Sequence, residues 1–257
     1  MDRVGKHGWL ILCFMFLGFF LMTWQALTTT SRGLPGPIPV AATAWEFLSD
    51  PFYVKGPNDH GIGLLTLYSL ARLSVGFIGG AVAAVTLGVI LGLNSTLFKA
   101  LNPFIQVLRS ISPVAWMPLL LYSVQSSGVT AVLVVFMASL WPTLANTAFG
   151  VSNIKKDYLS IANILQMSPV TKVFKVILPA AGPTIVAGLK ISMGSAWVAI
   201  VPTEALLGTL GLGYFVWNEW NNLSLASVIV AILLIGVVGV FVDYLFTRLA
   251  VKLAYVD

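Results

Sequence analysis

Charged side chains are scarce in this sequence: they make up 9% of its 257 residues, whereas 58% of the residues are hydrophobic. The mean hydropathy is +0.94, and a chain of this length cannot bury so much apolar surface in one soluble core. The shortage of charge therefore excludes an ordinary soluble domain and predicts an all-α integral membrane protein.

Cysteine and histidine are almost absent, with Cys13 as the one cysteine and His7 and His60 as the two histidines. No intrachain disulfide can form, and a metal site or a nucleophile and base pair would be poorly supplied with side chains. The motifs G-x-x-x-x-G-K-S/T, H-E-x-x-H and G-x-S-x-G are also missing. We therefore expect a chain without metal, cofactor or catalytic residues, which is not an enzyme by itself.

Long apolar runs dominate what is present. Six of them can cross about 30 Å of hydrocarbon as a helix, which takes about 20 residues. The first follows Arg3 and Lys6 as a signal peptide would, but it is too long and lacks a small-residue cleavage site, so we expect an anchor. The prediction is one transmembrane domain, residues 1–257, with helices over residues 9–27, 61–93, 103–124, 129–151, 183–208 and 225–249.

Lysine and arginine are distributed unevenly between the loops, and translocated loops are poor in them. One set of ends and loops holds only Arg32 and Lys55, so the opposite set, with both termini, is predicted to be cytoplasmic. The net charge of +5 suits anionic lipid headgroups, and no basic patch with interleaved aromatics suggests nucleic acid. The cytoplasmic set comprises Arg3, Lys6, Lys99, Lys155, Lys156, Lys172, Lys175, Arg248 and Lys252.

The longest cytoplasmic loop, residues 152–182, is predicted to contain two short amphipathic helices. Ser168 and Pro169 form a helix start, and Pro179 is expected to stop the second helix. One interpretation is a pair of helices lying on the membrane surface. The two apolar stripes are Tyr158, Ile161, Ala162 and Leu165, and then Val170, Val173, Phe174 and Ile177.

This loop also resembles the cytoplasmic loop of ABC-importer permeases. The signature of that family runs Glu-Ala-Ala, three residues, Gly, and nine residues later Ile-x-Leu-Pro. Counting back from Leu178 and Pro179 places Ser160, Ile161 and Ala162 at the Glu-Ala-Ala positions and Gln166 at the glycine. The resemblance implies a coupling helix that docks on a cytosolic ATPase subunit. Its contact residues would be Tyr158, Ser160, Ile161, Ala162, Leu165, Gln166 and Met167.

Three further segments resemble one branch of the same family, which imports nitrate, cyanate, bicarbonate, taurine and sulfonates. They are SLARLSVGF (69–77), LRSISPVAWMPL (108–119) and LGTLGLGYFVWNEWN (207–221), and the last resembles nitrate permeases in particular. The resemblance implies a homodimeric permease in the bacterial inner membrane, with two ATPase subunits that bind ATP and Mg, and a periplasmic binding protein. It implies import of nitrate, with nitrite, bicarbonate, cyanate or a sulfonate as alternatives.

A secondary transporter is the alternative from another class, and a membrane scaffold is a third. Secondary transporters often build their site from broken helices in an internal repeat. No convincing repeat relates residues 1–125 to residues 126–257.

Small residues recur every four positions in the second predicted helix and make one flat face. This face serves either packing inside the subunit or a moving interface beside the pathway. The helix has 33 residues and about 50 Å of length, so it must tilt, bend or project from the bilayer. The small residues are Gly76, Gly80, Ala84, Gly88 and Gly92.

Charges within the predicted spans each need a partner or an aqueous cavity. Arg109, Arg72, Lys190 and Glu204 are candidates for the translocation pathway, because a cation there lowers the barrier to an anion. The alternative for Lys190 is that its side chain snorkels to the membrane interface. The alternative for Glu204 is that it neutralises a cation. Asp243 is a further charge that needs a partner or a cavity.

The outer segments carry weaker patterns. Residues 33–39 are predicted to be irregular, and residues 40–48 an interfacial helix with Trp45 as its anchor. Trp217 and Trp220 suit either an aromatic belt or a surface that receives a binding protein.

Overall fold

The structure is a computed structural model that describes residues 8–30 and 33–254, and nearly all of these residues are helical. Arg3, Lys6, His7 and Arg32 lie outside the described residues, as do the side chains of Lys156 and Lys252. The helices are α1 (Gly8–Thr30), α2 (Pro37–Ser49), α3 (Ile62–Leu93), α4 (Ser95–Ser110), α5 (Met117–Val124), α6 (Ser127–Ser152), α7 (Lys156–Ile164), α8 (Pro169–Lys172), α9 (Leu178–Leu207), α10 (Leu212–Asn221) and α11 (Leu225–Ala254).

Within the described residues, five helices are long and apolar enough to cross a membrane, and a sixth span results if one bent pair is counted. The predicted first, second, fourth, fifth and sixth spans correspond to α1, α3, α6, α9 and α11. The third prediction, one helix over residues 103–124, is wrong. That segment divides between α4 and a second helical piece, Pro113–Val124, and the two are bent by 88°.

The bend has a local cause at Pro113. A proline disfavours the helical conformation in the residue before it, and Ser112 has φ −56° and ψ 129°. Ile111 is extended as well, and Pro113 then opens a single 3-10 turn that leads into α5. α4 begins earlier than predicted, at Ser95, because the side chain of Asn94 caps it by accepting a 3.0 Å hydrogen bond from the Leu97 amide.

The loop before α9 is helical for longer than predicted. Ser168 caps α8 by accepting from the Thr171 amide at 3.3 Å, which confirms the predicted helix start. Pro179 does not stop the helix, and the run from Pro169 to Leu207 is continuous. A π turn, Val173–Ile177, precedes Pro179. Its wider hydrogen-bond spacing accommodates the proline ring, which would clash with a carbonyl in a regular α turn.

The centre of the fold is α6, which packs between α3 and α9. Small and hydroxyl side chains allow this close approach. The hydroxyl oxygens of Ser192 on α9 and Thr143 on α6 lie 2.7 Å apart and share a hydrogen bond. The Ser192 hydroxyl also donates to the backbone oxygen of Ser139 at 2.7 Å. These buried hydrogen bonds satisfy the hydroxyl groups between the two helices and hold α9 against α6.

Two outer elements flank this centre. α2 confirms the helix predicted over residues 40–48, and Trp45 on it is 76% exposed. α2 begins at Pro37, inside the segment predicted to be irregular, because a proline suits the first turn of a helix. α1 lies against α2, and no residue from Ile11 to Thr28 is buried.

Candidate functional site

A groove of about 1010 Å³ opens beside the central helices. The bend after α4 brings Ser112, Pro113 and Val114 to one of its walls, and side chains of α6, α9 and α11 form the others. The walls are mostly apolar, with Met137, Ala138, Trp141, Pro142, Ala187, Ile191, Gly194, Ser195, Val198, Ala199 and Pro202 among the lining residues.

Among the described residues, three charged side chains line this groove, and they come from three helices. Arg109 lies in the last turn of α4, Lys190 in α9 and Asp243 in α11. All three are exposed, and none of them makes an ion pair with another described residue. Two cations and one carboxylate leave the groove with one net positive charge, which suits an anion.

The predicted pathway candidates therefore separate into two groups. Arg109 and Lys190 line the groove, whereas Arg72 and Glu204 do not. Asp243 also lines it, although the sequence showed it only as a charge within a span. The direction in which the Asp243 side chain points depends on how α11 packs against α9. The spacing of residues within α11 does not reveal this packing.

Arg72 and Glu204 form an ion pair, which is the only one among the described residues. Their closest nitrogen and oxygen atoms, Arg72 Nη1 and Glu204 Oε1, are 2.8 Å apart, and Glu204 is fully buried. Glu204 therefore neutralises a cation, which was the alternative to a place in the pathway. Its other oxygen accepts from the Ser69 hydroxyl at 2.7 Å and from the Gly213 amide at 3.2 Å, so both carboxylate oxygens are satisfied.

This ion pair also holds α10 in place. Arg72 Nη1 donates to the backbone oxygen of Leu210, and the Leu212 amide donates to the Ser69 hydroxyl at 2.9 Å. A side chain at Gly211 would overlap the carboxyl group of Glu204, so only glycine fits there. The charges thus join α3, α9 and the start of α10.

The small-residue face of α3 lies directly against α6. A Cβ atom at Gly80 would be 2.7 Å from the backbone oxygen of Phe136, and one at Gly88 would be 2.6 Å from the Thr147 Cβ. Ala84 between them has no exposed surface. The same contact continues at Gly76 and Gly92, and none of the five small residues lines the groove. Their position is one of packing within the subunit.

The predicted coupling residues lie on α7 and in the turn that follows it. Tyr158, Ile161 and Leu165 are 49%, 54% and 61% exposed, whereas Ala162 is buried. Ser160 is exposed. The apolar stripe predicted on α7 is thus mainly an exposed surface, and Ala162 is its one buried residue.

The turn after α7 keeps a geometry that favours glycine. Gln166, which stands at the glycine position of the signature, has φ +48°. Lys172 Nζ donates to Asn163 Oδ1 at 2.5 Å and so ties α8 to α7. A second groove of about 460 Å³ lies between this corner and α9, and Tyr158, Ile161, Ala162 and Met167 contribute to its lining.

Comparison with protein families identifies the chain over most of its length. The family described as "Binding-protein-dependent transport system inner membrane component" matches residues 84–255.

Named relatives extend the similarity toward the N-terminus. The nitrate import permease protein NrtB of Leptolyngbya laminosa is 38% identical over 231 residues, which are 89% of this chain and 83% of the relative. NrtB of Synechocystis is 35% identical over 88% of this chain and 83% of the relative. The bicarbonate transport system permease protein CmpB of Synechococcus elongatus is 37% identical over 87% of this chain and 82% of the relative.

Solved structures show the same fold. An inward-facing structure of the MetNI methionine ABC transporter matches with a TM-score of 0.63 at 18% identity, over 73% of this chain and 93% of that one. A second inward-facing MetNI structure gives a TM-score of 0.65 at 17% identity, over 75% and 95% of the two chains.

Proposed function

Because the chain belongs to the family of binding-protein-dependent transport system inner membrane components, a family of multi-pass inner-membrane transport proteins, we propose that it is the permease subunit of an ATP-driven nitrate importer. The observation that supports nitrate as the substrate is the similarity to relatives named nitrate import permeases, at 35–38% identity over 88–89% of this chain. Membership of this family also argues against a secondary transporter or a scaffold.

The groove suits a small anion with one charge. Its walls are largely apolar, and Arg109 and Lys190 supply two cations against the single carboxylate of Asp243. Nitrate is small, planar and weakly basic, so it needs a modest positive potential more than a tight site. A site with several paired donors would retain the ion, and the sparse polar lining avoids this.

Two copies of the chain are proposed to face each other, because one six-span unit supplies only part of a closed pathway. The groove is open along one side, and a second copy related by a two-fold axis would place two sets of its charges around that axis. Alternating access then exposes the anion to the outside and to the cytoplasm in turn.

The termini are proposed to be cytoplasmic, which puts Lys99, Lys155 and Lys175 on the cytoplasmic side and Lys55 outside. In this orientation α7 and α8 face the cytoplasm, and α10 faces the external binding protein. The exposed apolar residues of α7 would dock on ATPase subunits, which carry ATP and Mg and perform the hydrolysis.

Bicarbonate is the second candidate substrate, because CmpB relatives from Synechococcus elongatus and Synechocystis are 37% and 36% identical to this chain over similar lengths. Bicarbonate is also a small anion with one charge, so the groove accepts either ion on electrostatic grounds. The binding protein would then set much of the choice between the two ions.

Uptake into proteoliposomes tests the proposal. The complex of permease, ATPase and binding protein is reconstituted with its cytoplasmic side inward, ATP is enclosed, and labelled nitrate or bicarbonate is added outside. We expect ATP-dependent nitrate uptake, slowed more by Arg109→Ala than by Arg109→Lys because the lysine keeps the charge. Uptake of bicarbonate but not nitrate would contradict the assignment of nitrate as the substrate. Uptake of either ion without ATP would contradict the proposal that the protein belongs to an ATP-driven importer.

A further inference from the structure

Asp243 is an unexpected side chain in a groove suited to an anion. A carboxylate within a membrane span is costly unless it is paired or hydrated. Asp243 makes no ion pair and no side-chain hydrogen bond with another described residue. The next charged residue on α11 is not its partner, because Arg248 donates to the Tyr244 hydroxyl at 3.1 Å and lies over its ring.

Asp243 and Lys190 lie at a similar depth. The ends of α9 and α11 that flank α10 are on the same side, and Lys190 lies 17 residues from that end of α9 while Asp243 lies 18 residues from that end of α11. At about 1.5 Å per residue these lengths are about 26 and 27 Å. Both residues line the same groove.

The packing of the two helices agrees with this placement. A Cβ atom at Gly239 would lie 2.5 Å from Trp197 Nε1, so α11 and α9 touch there. Asp243 follows Gly239 by one helical turn, and Lys190 lies about two turns from Trp197 in the same direction along the bundle. An ion beside Lys190 therefore also experiences the field of Asp243.

We propose that Asp243 determines release and charge selectivity in this groove: its carboxylate offsets one of the two cations, so that a singly charged anion is attracted but not retained. The proposal rests on the groove being the anion pathway of the proposed importer. Without Asp243 each copy would present two uncompensated cations, and the anion would leave toward the cytoplasm more slowly.

The expected size of the effect follows from Coulomb's law. For an ion taken to lie about 8 Å from the carboxylate, at an effective dielectric constant between about 20 and 80, removing that one charge changes the affinity for a singly charged ion by roughly 2- to 30-fold. Tighter binding on the inner side appears as inhibition of uptake by nitrate that is already inside.

The experiment uses the reconstituted complex with saturating external nitrate and increasing nitrate enclosed with the ATP. For Asp243→Asn we expect half-inhibition at an internal nitrate concentration roughly 2- to 30-fold lower than for the original protein. Asp243→Glu should behave like the original protein because it keeps the charge. Asp50→Asn is the matched control, since it removes a carboxylate that does not line the groove.

A second variant separates charge from structure. Lys190→Gln added to Asp243→Asn restores one net positive charge and should return the half-inhibitory concentration to within about twofold of the original value. Unchanged inhibition in Asp243→Asn, or no recovery in the double variant, would overturn the role of Asp243. If the original complex takes up neither nitrate nor bicarbonate, the proposed function itself fails.

Discussion

The five charges that were predicted to need a partner or a cavity have two different fates among the described residues. Arg72 and Glu204 neutralise one another in a buried network that also uses Ser69 and the amide of Gly213. The other three, Arg109, Lys190 and Asp243, stay unpaired among the described residues and line the groove. Charges that pair serve the fold, and charges that remain unpaired are available for an ion.

Removing one partner of the buried pair should destabilise the subunit strongly. Arg72→Met leaves the carboxylate of Glu204 buried without a counter-charge, at a cost of about 3–5 kcal/mol. Adding Glu204→Gln should recover much of this loss, because the amide oxygen still accepts from Ser69 while the charge is gone. Thermal unfolding of the detergent-purified subunit measures both variants.

Arg248→Met provides the control, because this arginine is exposed and its guanidinium interacts with the hydroxyl and ring of the exposed Tyr244. It should cost less than about 1 kcal/mol. A double variant no more stable than Arg72→Met would show that the pair does not act through charge.

At the scale of the helix, small residues and prolines decide how the spans are placed. The small-residue face of α3 allows α6 to approach closely enough for backbone contact at Gly80. Pro113 turns the chain between α4 and α5 and so forms one wall of the groove. The π turn before Pro179 lets one continuous run join α8 to α9.

Gly80→Leu should disrupt the packing of α3 on α6. A Cβ atom there already lies 2.7 Å from a backbone oxygen and 2.8 Å from the Ser139 Cβ, so the helices must separate. Overpacking of this kind costs about 1–3 kcal/mol. The expected result is a lower unfolding temperature and less monodisperse protein in size-exclusion chromatography.

The neighbouring Gly79→Leu is the matched control. Gly79 is exposed, and a Cβ atom there would lie 3.5 Å from the ring of Phe136, which is ordinary contact. Equal stability of the two variants would contradict the packing role of the small-residue face of α3.

For the whole molecule, length and apolarity were enough to predict five spans, and the pattern of Ser168 and Pro169 was enough to predict a helix start. Hydropathy did not reveal the bend at Pro113, because residues 103–124 are apolar on both sides of it. The place of Asp243 in the groove could not be predicted either. It depends on the contact between Gly239 and Trp197, two residues on different helices.

Energy coupling is a property of the assembled importer, and α7 is its proposed contact. Replacing both Ile161 and Leu165 with Asp puts two charges on the exposed apolar face, where docking would have to desolvate them. The subunit should still insert and fold, but the ATPase should no longer copurify. Affinity purification followed by an ATP hydrolysis assay measures this.

Asn163→Asp is the control on the same helix. Asn163 lies on the opposite side of α7 from Ile161, and an aspartate there keeps the acceptor for Lys172. Copurification of an ATPase that still responds to substrate in the Ile161 and Leu165 variant would contradict the coupling role.

The ion pair between Arg72 and Glu204 also imposes an order on synthesis. The two residues are 132 positions apart, so at about 5–20 residues per second a ribosome needs roughly 7 to 26 s to add the carboxylate after the guanidinium. Throughout that time the arginine of α3 lacks the carboxylate that neutralises it in the folded subunit. The ion pair can therefore form only after α9 has been made, so α3 gains this connection to the second half of the chain late in synthesis.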